Sequence, residues 1–163
     1  MDNIFTKIIN FIRYDIPCGI GNLTSYFKII WEDRDWDSHF LFALLRFKLK
    51  RMEQLNRFHG HAVSSIEIAD KIKVCVLLLD RIVKDEYEER VFEKHDKKWG
   101  DINLDFSDSG CINITRKNVK TKEDHEKEWK EHKALWERSA ALKQQDIDLL
   151  FKIMSKHATK WWD

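Results

Sequence analysis

Apolar residues recur at helical intervals over most of this chain, and glycine and proline interrupt them at only four places. Those places are Pro17-Cys18-Gly19-Ile20-Gly21, Gly60, Gly100 and Gly110. Both residue types disfavour helix interiors, so they divide the chain into segments. The first helix is expected from about Asn3 to Tyr14, then a Pro/Gly turn, then a short second helix from about Asn22 to Trp31. A third opens at Asp35 or Asp37, either able to cap free backbone N–H groups, and runs to about Phe58 before Gly60. Its first half, residues 40–45, is apolar on every face and is expected to be enclosed by other helices.

A capping box, Ser64-Ser65-Ile66-Glu67, starts the fourth helix, and Ile68, Ile72, Cys75, Leu79, Ile82 and Val83 follow at helical spacing. The pattern extends through Tyr87 and Val91 to Trp99, and no signal decides whether it breaks near Lys84-Asp85. The period then changes. Residues 102–106 and 111–115 alternate on either side of the turn-like Ser107-Asp108-Ser109-Gly110, which predicts a β-hairpin over 102–115. Its apolar face is expected to pack on the helices or on another subunit. The fifth helix opens at the cap Thr121-Lys122-Glu123-Asp124 and meets no Gly or Pro up to residue 163. At ~60 Å a continuous helix of this length exceeds a compact domain. It either breaks near Ser139-Ala140-Ala141 or pairs with another chain along Trp129, Trp136, Ala140, Ile147, Leu150, Met154 and Trp161. The fold class expected is mainly α: about five helices, one hairpin and a long C-terminal helix of about 121–160, in a single domain.

Charge changes the picture little. The 163 residues carry 29 basic and 28 acidic side chains, without the basic excess of a general nucleic-acid binder. The apolar start Ile4–Ile12 lacks a basic n-region and reads as an amphipathic helix rather than a signal peptide, and no apolar run is long enough to span a bilayer. Three scattered cysteines, Cys18, Cys75 and Cys111, form no CxxC pair, which points to a reducing compartment.

Catalytic signatures fail on spacing. There is no Gly-x-Ser-x-Gly elbow, no phosphate loop and no His-Glu-x-x-His. The seven histidines, with His59-Gly60-His61 the closest pair, show no ligand pattern for a metal, and no motif calls for a cofactor. Asp85-Glu86-Tyr87-Glu88-Glu89 resembles the first acidic motif of all-α nucleotide pyrophosphatases. The second, Glu93-Lys94-His95-Asp96, follows too soon to face it across magnesium. A binding protein is therefore favoured over an enzyme. Cations and tryptophans gather at segment ends, as nucleotide binding would use them. The candidate ligand-binding residues are Arg34, Arg57, His59, His61, Lys98 and Trp99. Arg34 and Arg57 flank a long helix, so a site using both would lie between subunits of a homo-oligomer.

Several stretches together resemble a family of small proteins encoded by tailed bacteriophages. They are Asp33-Arg34-Asp35-Trp36-Asp37, Phe47-Lys48-Leu49-Lys50-Arg51-Met52, Leu78-Leu79-Asp80-Arg81-Ile82, His95-Asp96-Lys97-Lys98-Trp99-Gly100 and the tail from Gln144. The resemblance implies a viral protein acting in the host cytoplasm and carries over no catalytic residue. A phage accessory protein that sequesters a nucleotide signal of host antiviral defence is the leading expectation. The alternatives are a magnesium-dependent pyrophosphatase and a host-protein-binding module.

Overall fold

The structure is a computed structural model and describes residues 4–106 and 112–161. The expected helix start at Asn3, the hairpin turn Ser107–Gly110, Cys111 and Trp162 lie outside these residues. The chain divides into two units, Met1–Leu45 and Arg46–Asp163.

In the first unit α1 (Ile4–Asn10) runs through a π-helical turn (Phe11–Asp15) into α2 (Ile16–Glu32). The expected Pro/Gly turn at 17–21 does not form; these residues are helical. The reason lies in the π turn, where the Ile16 N–H donates to the Phe11 carbonyl, five residues back. The ladder's return to four-residue spacing leaves a carbonyl without a donor, and Pro17, which has no N–H, stands in the first turn after that shift. Gly19 and Gly21 face open space. The chain leaves α2 at Asp33, and Asp37 Oδ1 accepts from the His39 N–H (2.8 Å), capping α3 (Ser38–His59). Leu41 and Leu44 are exposed and no residue of 40–45 is buried, so the expected enclosure of that half-helix is not observed.

The second unit holds every buried apolar side chain among the described residues. α4 (Ser65–Lys84) supplies Ala69, Ile72, Cys75, Val76, Leu78, Leu79 and Ile82. Their three- and four-residue spacing puts them on one helical face. Its N-cap is Ser64, but that side chain makes no capping bond, so the expected capping box is absent. At Asp85 the backbone turns left-handed (φ 53°), and α5 (Tyr87–Trp99) begins two residues later. The pattern that looked continuous in sequence is thus two helices. The hairpin follows: β1 (Ile102–Phe106) pairs antiparallel with β2 (Ile112–Arg116), Leu104 opposite Ile114.

α6 (Lys122–His157) is one unbroken helix, opened by the expected cap as a reciprocal box between Thr121 and Asp124. It does not break near 140. α4 and α5 together match its length and run antiparallel along it. Glu67 lies near His157, Asp146 bonds Tyr87 and Arg81, and Glu131 bonds Lys98. Leu150 and Trp161 of the predicted pairing stripe are buried in the chain's own core, while Trp129 and Trp136 are exposed. The long helix is therefore covered on one face from within its own unit, and Trp129 and Trp136 stay outside that cover.

Candidate functional site

α5 turns its apolar residues, Tyr87, Phe92 and Trp99, into the core and presents Arg90, Lys94 and Lys98 at four-residue intervals along its outer face. α6 faces them with Glu131, Ala134, Leu135, Arg138 and Leu142. Between the two helices lies a groove of about 640 Å³. Val91, Ala134, Leu135 and Leu142 supply its apolar lining, and four cations (Arg90, Lys94, Lys98, Arg138) outnumber its two carboxylates, Glu93 and Glu131.

Both carboxylates are already engaged. Glu93 pairs with Lys97 at 2.7 Å, and that bond holds its carboxyl below the ordinary range. Glu131 accepts from Lys98 Nζ (2.5 Å) and from Trp99 Nε1 (2.8 Å), and these bonds, the lysine's first, depress its pKa. Lys94 and Arg138 make no salt bridge among the described residues, so their charge is available to an incoming anion.

His95 also lines the groove, with its side chain 1% exposed. Neither ring nitrogen has a hydrogen-bond partner. Nδ1 lies 3.7 Å from Asp96 Oδ1 and Nε2 3.7 Å from Glu128 Oε1, both too long for hydrogen bonds. A buried imidazole without partners is a group that a ligand or an ordered water can satisfy. Phe92 and His132 pack edgewise or tilted against each other and against His95, with ring centroids 5.1–5.9 Å apart.

Behind the groove, Arg116 at the end of β2 ties three elements together. Its Nη1 donates to Asp96 Oδ1 (2.8 Å) and to the Gly100 carbonyl (3.1 Å), and its Nε donates to Glu128 Oε1 (3.0 Å). Arg116 is 8% exposed and Glu128 13%, so that pair is nearly buried, while Asp96 holds the outer side of the arginine from an exposed position. It anchors the hairpin, whose apolar Ile102, Leu104 and Ile114 are exposed and do not pack on the helices as one expectation had it. The backbone turn needed at Gly100 (φ 77°, ψ −176°) is open only to glycine.

The sequence-derived site residues are only partly brought together. Lys98 lines the groove, and Trp99 lies behind it, bonded to the same Glu131. The Trp99 ring is 6% exposed and has the Lys98 ammonium 4.6 Å from its centroid, so it offers no free face for stacking. Arg57 is engaged by Glu53 (2.5 Å) and Asp70 (2.9 Å), which raise its pKa and tie α3 to α4. His59 is exposed beside Arg51, Gln54, Leu55 and Phe58, and His61 lies in the exposed turn after Gly60. Arg34, in the loop before α3, donates to the Asp33 carbonyl at 2.7 Å. None of these four lines the groove. Sequence reasoning missed Arg90, Lys94 and Arg138, although the first two form with Lys98 a visible i, i+4, i+8 series.

The carboxylates that resemble a pyrophosphatase motif are dispersed. Asp85 pairs with Lys143 at 2.9 Å, Glu86 lies 3.8 Å from Lys84 and from Arg90, and Glu93 is held by Lys97. Among the described residues no three His, Cys, Asp or Glu side chains converge as metal ligands, and no helix is long and apolar enough to cross a membrane. Compared with known protein families, curated proteins and solved structures, the chain matches none.

Proposed function

We propose that this chain binds an anionic, nucleotide-type small molecule in the α5–α6 groove and releases it unchanged. The observation that carries this reading is the groove's composition. Uncommitted cations, Lys94 and Arg138, line a groove whose apolar side chains are Val91, Ala134, Leu135 and Leu142, beside a buried histidine with unfilled hydrogen-bonding capacity. Arg and Lys hold phosphate oxygens, and apolar walls accept the base or ribose. No nucleophile with an adjacent base lines the groove, which favours capture over conversion. In the setting implied by the phage resemblance, the ligand is a nucleotide signal of host defence and the action is its sequestration.

Calorimetric titration with ADP, ATP, ADP-ribose and a cyclic dinucleotide, followed by chromatography of the recovered ligand, tests this reading. At least one should bind and return intact. Each charge-assisted hydrogen bond contributes roughly 1.5–3 kcal/mol, so Lys94→Ala or Arg138→Ala should weaken binding at least about tenfold. Turnover of the ligand, or unchanged affinity in both variants, contradicts the proposal.

A further inference from the structure

The first unit poses a separate question, because its helices bury nothing. Over Ile4–Trp31 thirteen large apolar side chains are exposed, from Ile4 and Phe5 through Ile20 and Leu23 to Ile30 and Trp31. Isolated exposed apolar residues are ordinary, but a contiguous helical face of them marks an interaction surface. In α2 the spacing is specific. Ile16, Ile20, Leu23, Phe27 and Ile30 follow at alternating intervals of four and three, the seam by which one α-helix packs on another.

Charge selects the direction. The N-terminal half carries Lys7 and Arg13 against Asp2 and Asp15, and the C-terminal end carries Glu32, Asp33, Asp35 and Asp37 against Lys28 and Arg34. One end is balanced and the other acidic. A second copy laid antiparallel keeps the two acidic ends apart and opposes the two helix dipoles, while a parallel copy would set acidic end on acidic end. The area is sufficient. If about half of the exposed apolar residues enter the contact at roughly 100 Å² each, each copy buries about 700 Å², close to a standard specific interface. The arrangement is also self-complementary, as a two-fold dimer requires.

We infer that α1 and α2 form the interface of an antiparallel homodimer, each helical run packing along that of a second copy. This inference is independent of the groove. Sedimentation velocity of the full chain at tens of micromolar should give twice the mass of one chain. Leu23→Asp with Phe27→Asp should give one chain mass while keeping the thermal transition of the second unit. Direction is read by crosslinking in a Cys18→Ser, Cys111→Ser background, where the one remaining native cysteine, Cys75, is buried. Ile8→Cys and Phe27→Cys chains, mixed under mild oxidation, should form a disulfide between the two variants and none within either alone. A monomeric wild-type chain overturns the inference, whether or not it sediments with phosphatidylglycerol vesicles. So does a dimer that survives the double aspartate variant, or crosslinks that form only within one variant.

Discussion

Gly60 shows how one residue fixes the join between α3 and α4. A Cβ placed there would run into the Ser65 side chain and the Asn56 carbonyl oxygen, both part of rigid structure. Gly60→Ala should therefore destabilise the second unit by about 1–3 kcal/mol, measured by urea unfolding. The glycine was legible in sequence as a helix stop, but the close approach of Ser65 that makes it irreplaceable was not, because it is a tertiary contact. The cysteines divide in the same way. Cys75 is fully buried and burial pushes its thiol up to about 11, whereas Cys18 is exposed on α2. Iodoacetamide labelling of the native protein at neutral pH, read by peptide mass spectrometry, should modify Cys18 and spare Cys75 until denaturant is added. The apolar spacing of α4 already marked Cys75 as core. Arg57 stood out in the sequence only as a cation near a helix end; its pairing with Asp70 was not visible there, because Asp70 lies on the next helix.

Among the elements, helices with regular apolar spacing were legible and their junctions were not. The 84–85 junction depends on Asp85 adopting a left-handed conformation, which aspartate tolerates but does not announce. Pro17 announced a turn that the π turn before it made unnecessary. The glycines that follow are helical and unobstructed, so Gly19→Ala and Gly21→Ala should each stabilise α2 by roughly 0.5–1 kcal/mol, seen as added helical circular dichroism. The hairpin's alternation was plain in the sequence, but its anchor, Arg116, was invisible because its partners Asp96 and Glu128 come from two helices. Arg116→Met strands Glu128 in a nearly buried position and should cost about 3 kcal/mol. Adding Glu128→Leu should recover much of that loss, because the stranded charge goes with it. A loss unchanged by the second substitution would show that the arginine acts only by packing.

For the molecule as a whole, acid should be the condition that finds its electrostatic stabilisation. Glu67, Glu93, Asp124 and Glu131 all have folded-state pKa values below the ordinary range. The chief causes are hydrogen bonds from Lys71, Lys97, Thr121 and Lys98 respectively. A depressed folded value means the stabilisation is complete above the unfolded pKa of about 4–4.5 and drains as pH falls through the folded value. The melting temperature should thus hold from neutrality to about pH 5 and fall below about pH 4. The long α6 looked in sequence like a helix in need of a partner chain. The structure covers one face of it with α4 and α5, which sequence could not show because that cover depends on their break. The groove arises from the same arrangement, where α5 lies on the first half of α6. Its central test is backbone chemical-shift mapping of the full chain titrated in turn with ADP, ATP, ADP-ribose and a cyclic dinucleotide. With at least one of them, shifts should concentrate in Arg90–Lys98 and Glu131–Leu142, with unaltered ligand phosphorus resonances at the end of the titration. Shifts centred on Arg34 or Arg57, or none with any of the four up to millimolar concentration, would contradict it.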